Sequence, residues 1–171
     1  MLIKEIAGVF TPWNTLYSGS KAISTAVTSL HILALLFGGG LALAADRTTL
    51  RALKRPASER LSQLRELRAV HRPVVVALTL LFVSGLAMAS ADVETYATSW
   101  YFWVKMSLVA LLMANGYYLL MVERRLNAAA TPETPEAIAP ALWRHLRRAS
   151  VASLTLWTLT ALAGAVLTGA A

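Results

Sequence analysis

Hydrophobic residues gather into four long runs, and charged residues are confined almost entirely to the segments between them. The runs span residues 22–45, 73–91, 100–122 and 150–170. Each is close to the ~20 residues that carry a helix across a hydrocarbon core of about 30 Å. Within them only His31 and Lys105 ionise near neutral pH. In hydrocarbon a segment must satisfy its own backbone polar groups, so each run is expected to be helical despite its glycines. The predicted fold is all-α: a four-transmembrane-helix bundle of up-down topology, one integral membrane domain over residues 1–171, with helical extensions in its cytoplasmic loops.

The connections carry patterns of their own. Leu2, Ile3, Ile6, Val9 and Phe10 predict a short surface helix, and Thr11-Pro12-Trp13 reads as a cap and restart. No basic start leads directly into a short apolar core here, so no cleavage is expected. After the first run, Leu61, Leu64, Leu67 and Val70 recur at helical spacing among charges. The second helix is therefore expected to begin well before the membrane. Pro73 at its entry removes one backbone bond and predicts a bend. In the third connection, Thr131-Pro132-Glu133 and Thr134-Pro135-Glu136 both read as helix starts, leading into a helix that continues through His145 into the last run.

Composition sharpens this picture. The 171 residues are 57% hydrophobic and 15% charged, with a mean hydropathy of +0.57, whereas about a quarter of the residues of a soluble domain are charged. The net charge of +7 does not signal nucleic acid, because the basic residues lie in blocks between apolar runs, the pattern of membrane loops. There is no cysteine, which excludes disulfides, thiolate metal sites and cysteine nucleophiles.

Charge also predicts orientation. Arg47, Arg51, Lys54, Arg55, Arg60, Arg65, Arg68 and Arg72 fill the first connection, and Arg124, Arg125, Arg144, Arg147 and Arg148 the third. The second holds Asp92 and Glu94 with no Lys or Arg. The positive-inside rule then places both basic connections in the cytoplasm and both termini outside, in a bacterial inner membrane. Trp13, Tyr17, Trp100, Tyr101 and Trp103 form the predicted outer aromatic belt, towards which Lys105 is expected to snorkel. The basic connections offer a surface for anionic lipid head groups.

Candidate chemistry centres on three histidines. His31 shares a helical stripe with Ser24, Thr28, Leu35, Gly38, Ala42 and Ala45, and Thr160, Gly164 and Thr168 form a matching stripe on the last run. Small residues on such stripes let helices pack closely. His31 is expected to face the bundle interior, either as a neutral imidazole bonded to Thr or Asn on another helix, as a haem or metal ligand, or as a proton carrier. At ~1.5 Å per residue, His31 lies roughly 13 Å and His71 roughly 30 Å below the outer surface, a poor match for two ligands of one haem. His71 and His145 both fall at the cytoplasmic entrance, where they either pair on a haem or join a basic belt. Arg68, Arg72, Arg144 and Arg148 lie near enough in sequence to meet propionates. No carboxylate falls inside the four runs, which leaves no paired-acid mechanism, and no Ser/His/Asp arrangement is evident.

The order His31, Phe37-Gly38-Gly39, Asp46, Val70-His71-Arg72, Ser84-Gly85, Phe102-Trp103 with Lys105, and Asn115-Gly116 resembles uncharacterised bacterial four-helix membrane families. These in turn resemble copper-resistance D-type proteins and small b-type cytochromes. The likeness covers the first three helices and implies haem or copper handling. The specific expectation is a b-type haem electron-transfer protein using His71 and His145, with His31 at a second or metal site and Arg72 and Arg144 on the haem's acidic groups. The alternative is a non-catalytic membrane component that binds lipid, a partner subunit or its own copies. Copper or small-solute transport stands third.

Overall fold

The computed structural model describes residues 2–129 and 140–170. The two Thr-Pro-Glu helix starts fall outside them. The described residues form seven helices: α1 (Leu2–Val9), α2 (Thr11–Gly19), α3 (Lys21–Ala52), α4 (Ala57–Ala91), α5 (Val93–Thr98), α6 (Trp100–Ala129) and α7 (Pro140–Ala170). Four of these, α3, α4, α6 and α7, are long and apolar enough to cross a membrane. Only 17–28% of the most apolar window of each is buried inside the chain, so the apolar faces turned outward need hydrocarbon as their solvent.

Local chemistry sets the ends. Ser20 caps α3 by accepting from the Ile23 N–H, and Asp92 caps α5 by accepting from the Thr95 N–H. The break after α1 falls at Phe10, with Pro12 in the first turn of α2. α2 then lies against the end of α4, whose last carbonyls lack intrahelical donors. Trp13 Nε1 donates to Ala87 O at 2.8 Å, and the Asn14 amide donates to Ala91 O. α4 continues through Pro73 as one helix from Ala57, well ahead of its apolar run.

The four long helices pack along three of the four sides of the bundle. α3 lies along α4, α6 along α7, and α3 along α7, while α4 and α6 touch only sparsely. Small residues draw the first seam together: a Cβ built on Gly38 would come within 2.6 Å of the Ala77 Cβ. Gly39 receives the Trp157 ring in the same way, with a contact of 3.3 Å. The best-buried core lies at the basic end, where Leu64 and Leu67 of α4 meet Leu119, Val122 and Leu126 of α6 and Leu146 of α7. Arg60 adds a guanidinium over the Trp143 ring at 5.8 Å.

The helices outrun the apolar runs. α3 ends at Ala52 instead of residue 45, and α6 at Ala129 instead of residue 122. Both extensions bury one face of the helix: Asp46 and Thr49 on α3, Glu123 and Leu126 on α6. Hydropathy truncates these helices because their polar members face the protein instead of lipid.

Candidate functional site

The sparse contact between α4 and α6 leaves a cleft of about 340 Å³. Its walls are mainly apolar: Val74, Val75, Leu78 and Phe82 of α4, and Leu112, Met113, Leu119 and Leu120 of α6. Gly116 lies on the α6 wall, where a Cβ would meet nothing within 4 Å. Val75, Phe82, Met113 and Tyr117 are exposed, so the cleft opens sideways between the two helices. Trp157 of α7 and Ala42 of α3 form its back.

Polar groups collect at its basic end. Asp46 of α3, His71 of α4 and Ser153 of α7 line the cleft there. His71 Nδ1 lies 2.7 Å from Glu123 Oε2 of α6, and neither atom has another hydrogen-bond partner. This contact bridges α4 and α6 directly. Glu123 is 2% exposed and Asp46 3%, so both carboxyls are removed from water. Ser153 and Ser150 bring hydroxyls to Asp46, and the Ser150 hydroxyl, fully buried, completes no hydrogen bond in its present rotamer. No Lys or Arg lines the cleft, although the chain as a whole carries +7. Among the described residues no three His, Asp or Glu side chains gather as a metal-binding group.

The other sequence candidates lie elsewhere. His31 faces the bundle interior as expected, but its partner is a serine: Nδ1 lies 2.9 Å from Ser84 Oγ. The absence of a Cβ at Gly85 makes room for the same ring, since one built there would stand 3.2 Å from His31 Cε1. Lys105 does not run out to the aromatic belt. Its ammonium lies against α7, 3.6 Å from where a Gly164 Cβ would be, because that glycine leaves space on the interior side. His145 is exposed on α7, with Nδ1 2.6 Å from the Tyr118 hydroxyl. Arg72 and Arg144 are also exposed. Of the five residues expected to hold a cofactor, His71 alone lines the cleft. His71 and His145 engage different residues of α6, Glu123 on its buried face and Tyr118 on its exposed one.

No carboxylate falls inside the four apolar runs, but Asp46 and Glu123, each one residue past the end of a run, are buried in the bundle. Helical spacing places both on inward faces. Gly38 and Ala42 continue at four-residue steps to Asp46, and Leu119 steps to Glu123.

A model described as a family of unknown function (DUF6644) matches residues 13–169. The chain belongs to that family. No curated protein and no solved structure matches it. The DUF6644 match takes in α3, α4, α6 and nearly all of α7, and with them every residue of the cleft.

Proposed function

We propose that this chain is an inner-membrane binding protein that admits a lipid-soluble ligand sideways from the bilayer into the α4–α6 cleft. The observation that carries this reading is an apolar cleft, open between two membrane-length helices, that ends on the buried Asp46 and on His71, whose ring is backed by Glu123. Ligand sites are commonly apolar cavities with a few convergent polar groups, and ionisable residues at membrane depth are functional candidates by default. The test is native mass spectrometry of protein released from its own membranes. The wild type should carry a small-molecule adduct that Gly116→Leu, which fills the cleft, loses. Bare spectra from both would overturn the reading.

A second reading has a specific support. His71 presents Nδ1 to a buried carboxylate, the arrangement by which a metal-ligating imidazole is held in place through its other nitrogen. A haem b here would be held by His71, without covalent attachment because the chain has no cysteine, and with no Lys or Arg of the cleft to meet its acidic groups. Such a group would supply one-electron chemistry, tuned by the contact between His71 and Glu123. A reduced α-band and a pyridine haemochrome of the b type, lost in His71→Ala and kept in His31→Ala, would select this occupant. Their absence after expression with ample haem would remove it.

Membrane placement belongs to the same proposal: both termini outside, with the basic connections in the cytoplasm against anionic lipid. Cys at Glu94 should react with an impermeant thiol reagent in intact cells, and Cys at Lys54 should not. The reverse result would invert the topology.

A further inference from the structure

The charges around the cleft do not cancel. His71 and Glu123 form a contact pair, in which the one imidazole can offset at most one carboxylate. Asp46, 3% exposed, has serine hydroxyls and this same His71 ring as its neighbours, so two buried carboxyls share one imidazole. Among the described residues Asp46 makes no salt bridge with Lys or Arg, and no such side chain lines the space in front of it. A buried carboxyl ionises only at a cost unless a positive charge accompanies it, and otherwise holds its proton. Aromatic rings line the cleft: Trp157 of α7 buried at its back, one turn from Ser153, and Phe82 of α4 and Tyr117 of α6 exposed at its opening. Ring faces attract cations, most strongly where water is excluded. A membrane-soluble anion would meet the Asp46 carboxylate with nothing to offset it. A neutral molecule would leave the carboxyl protonated, whereas a cation gains the full charge of the ionised form.

We propose that the cleft binds lipophilic organic cations, an apolar or aromatic body carrying a protonated amine or an onium centre, with Asp46 as the counter-charge and Trp157, one turn from Ser153, as the ring on the same side. This rests on the cleft reading above and adds the sign of the ligand. The apolar body occupies the space beside Val75, Met113 and Gly116, and the charge sits at the basic end.

Two probes matched in shape and opposite in charge, tetraphenylphosphonium and tetraphenylborate, test it. Each is equilibrated with the full chain in lipid nanodiscs, and binding to empty nanodiscs is subtracted. The wild type should bind the phosphonium saturably, one per chain, with no saturable component for the borate. Asp46→Asn should weaken phosphonium binding about tenfold or more, the scale of one lost charge-assisted contact. Gly116→Leu should abolish it. Equal saturable binding of both ions, or full phosphonium affinity in Asp46→Asn, overturns the cation proposal. If Gly116→Leu still removes the binding, the cleft survives that failure. Saturable binding that Gly116→Leu leaves unchanged, or none of either ion to the wild type, overturns the cation proposal; in the first case the cleft reading goes with it. Should Asp46→Asn not assemble, the comparison of the two ions on the native chain decides alone.

Discussion

Along one side of α4, Ala77 sits so close to Gly38 that no Cβ fits between them, and Ser84 and Gly85 receive the His31 ring. Along another, Val75, Thr79 and Phe82 face Met113, Gly116 and Tyr117 across about 340 Å³ of space. One helix therefore makes a closed seam and an open one. Small residues opposite small residues allow backbones to meet. On the open side α4 and α6 touch only sparsely, and a Cβ on the glycine there would meet nothing within 4 Å. An intramembrane histidine serves each seam differently. His31 is packed and bonded to serine within the closed one, whereas His71 stands at the floor of the open one with a carboxylate behind it.

The comparison breaks most sharply at the contact that ties the open seam at its basic end. Glu123→Ala leaves His71 without its partner and should cost about 3–5 kcal/mol in a denaturant titration of the detergent-solubilised protein. A loss below about 1 kcal/mol, the range of exposed pairs, would mean that water reaches the pair. Next comes the closed seam. Gly38→Ala places a methyl 2.6 Å from Ala77 Cβ and should cost about 1–3 kcal/mol through overpacking. Ser84→Ala removes the Nδ1 partner of His31 and should cost about 0.6–2 kcal/mol, the range for hydrogen bonds between membrane helices. Smallest is Gly116→Ala on the open seam, expected within about 0.5 kcal/mol of wild type. Equal effects at Gly38 and Gly116 would erase the distinction between the seams.

Much of the closed seam could be read from the chain. The stripe through His31, Gly38, Ala42 and Ala45 follows from 3.6-residue periodicity, and all four turn inward. The inward face of His31 was legible for the same reason, although Ser84 was not identified as its partner. A stripe says which face is buried, not which residue of the neighbouring helix lies at the same depth. The open seam was illegible because a cleft is a property of two helices that fail to meet, and neither sequence records that alone. Asp46 and Glu123 were missed for a different reason. Hydropathy marks where lipid contact ends, but these helices continue beyond it and bury polar residues against one another. His71 and His145 were both expected at the cytoplasmic entrance, yet α6 presents Glu123 to one and Tyr118, five residues earlier, to the other. Depth alone does not bring two side chains to one site.

The claim that the α4–α6 seam opens to the bilayer is tested most directly by a nitroxide on Gly116→Cys in lipid vesicles, where the absence of native cysteine gives a single label. The account predicts a mobile spectrum with strong collisional broadening by molecular oxygen, which concentrates in hydrocarbon, and little by a water-soluble nickel chelate. A spectrum immobilised and shielded from both reagents would contradict it by showing a closed seam, and strong broadening by the nickel chelate would contradict it by opening the cleft to water.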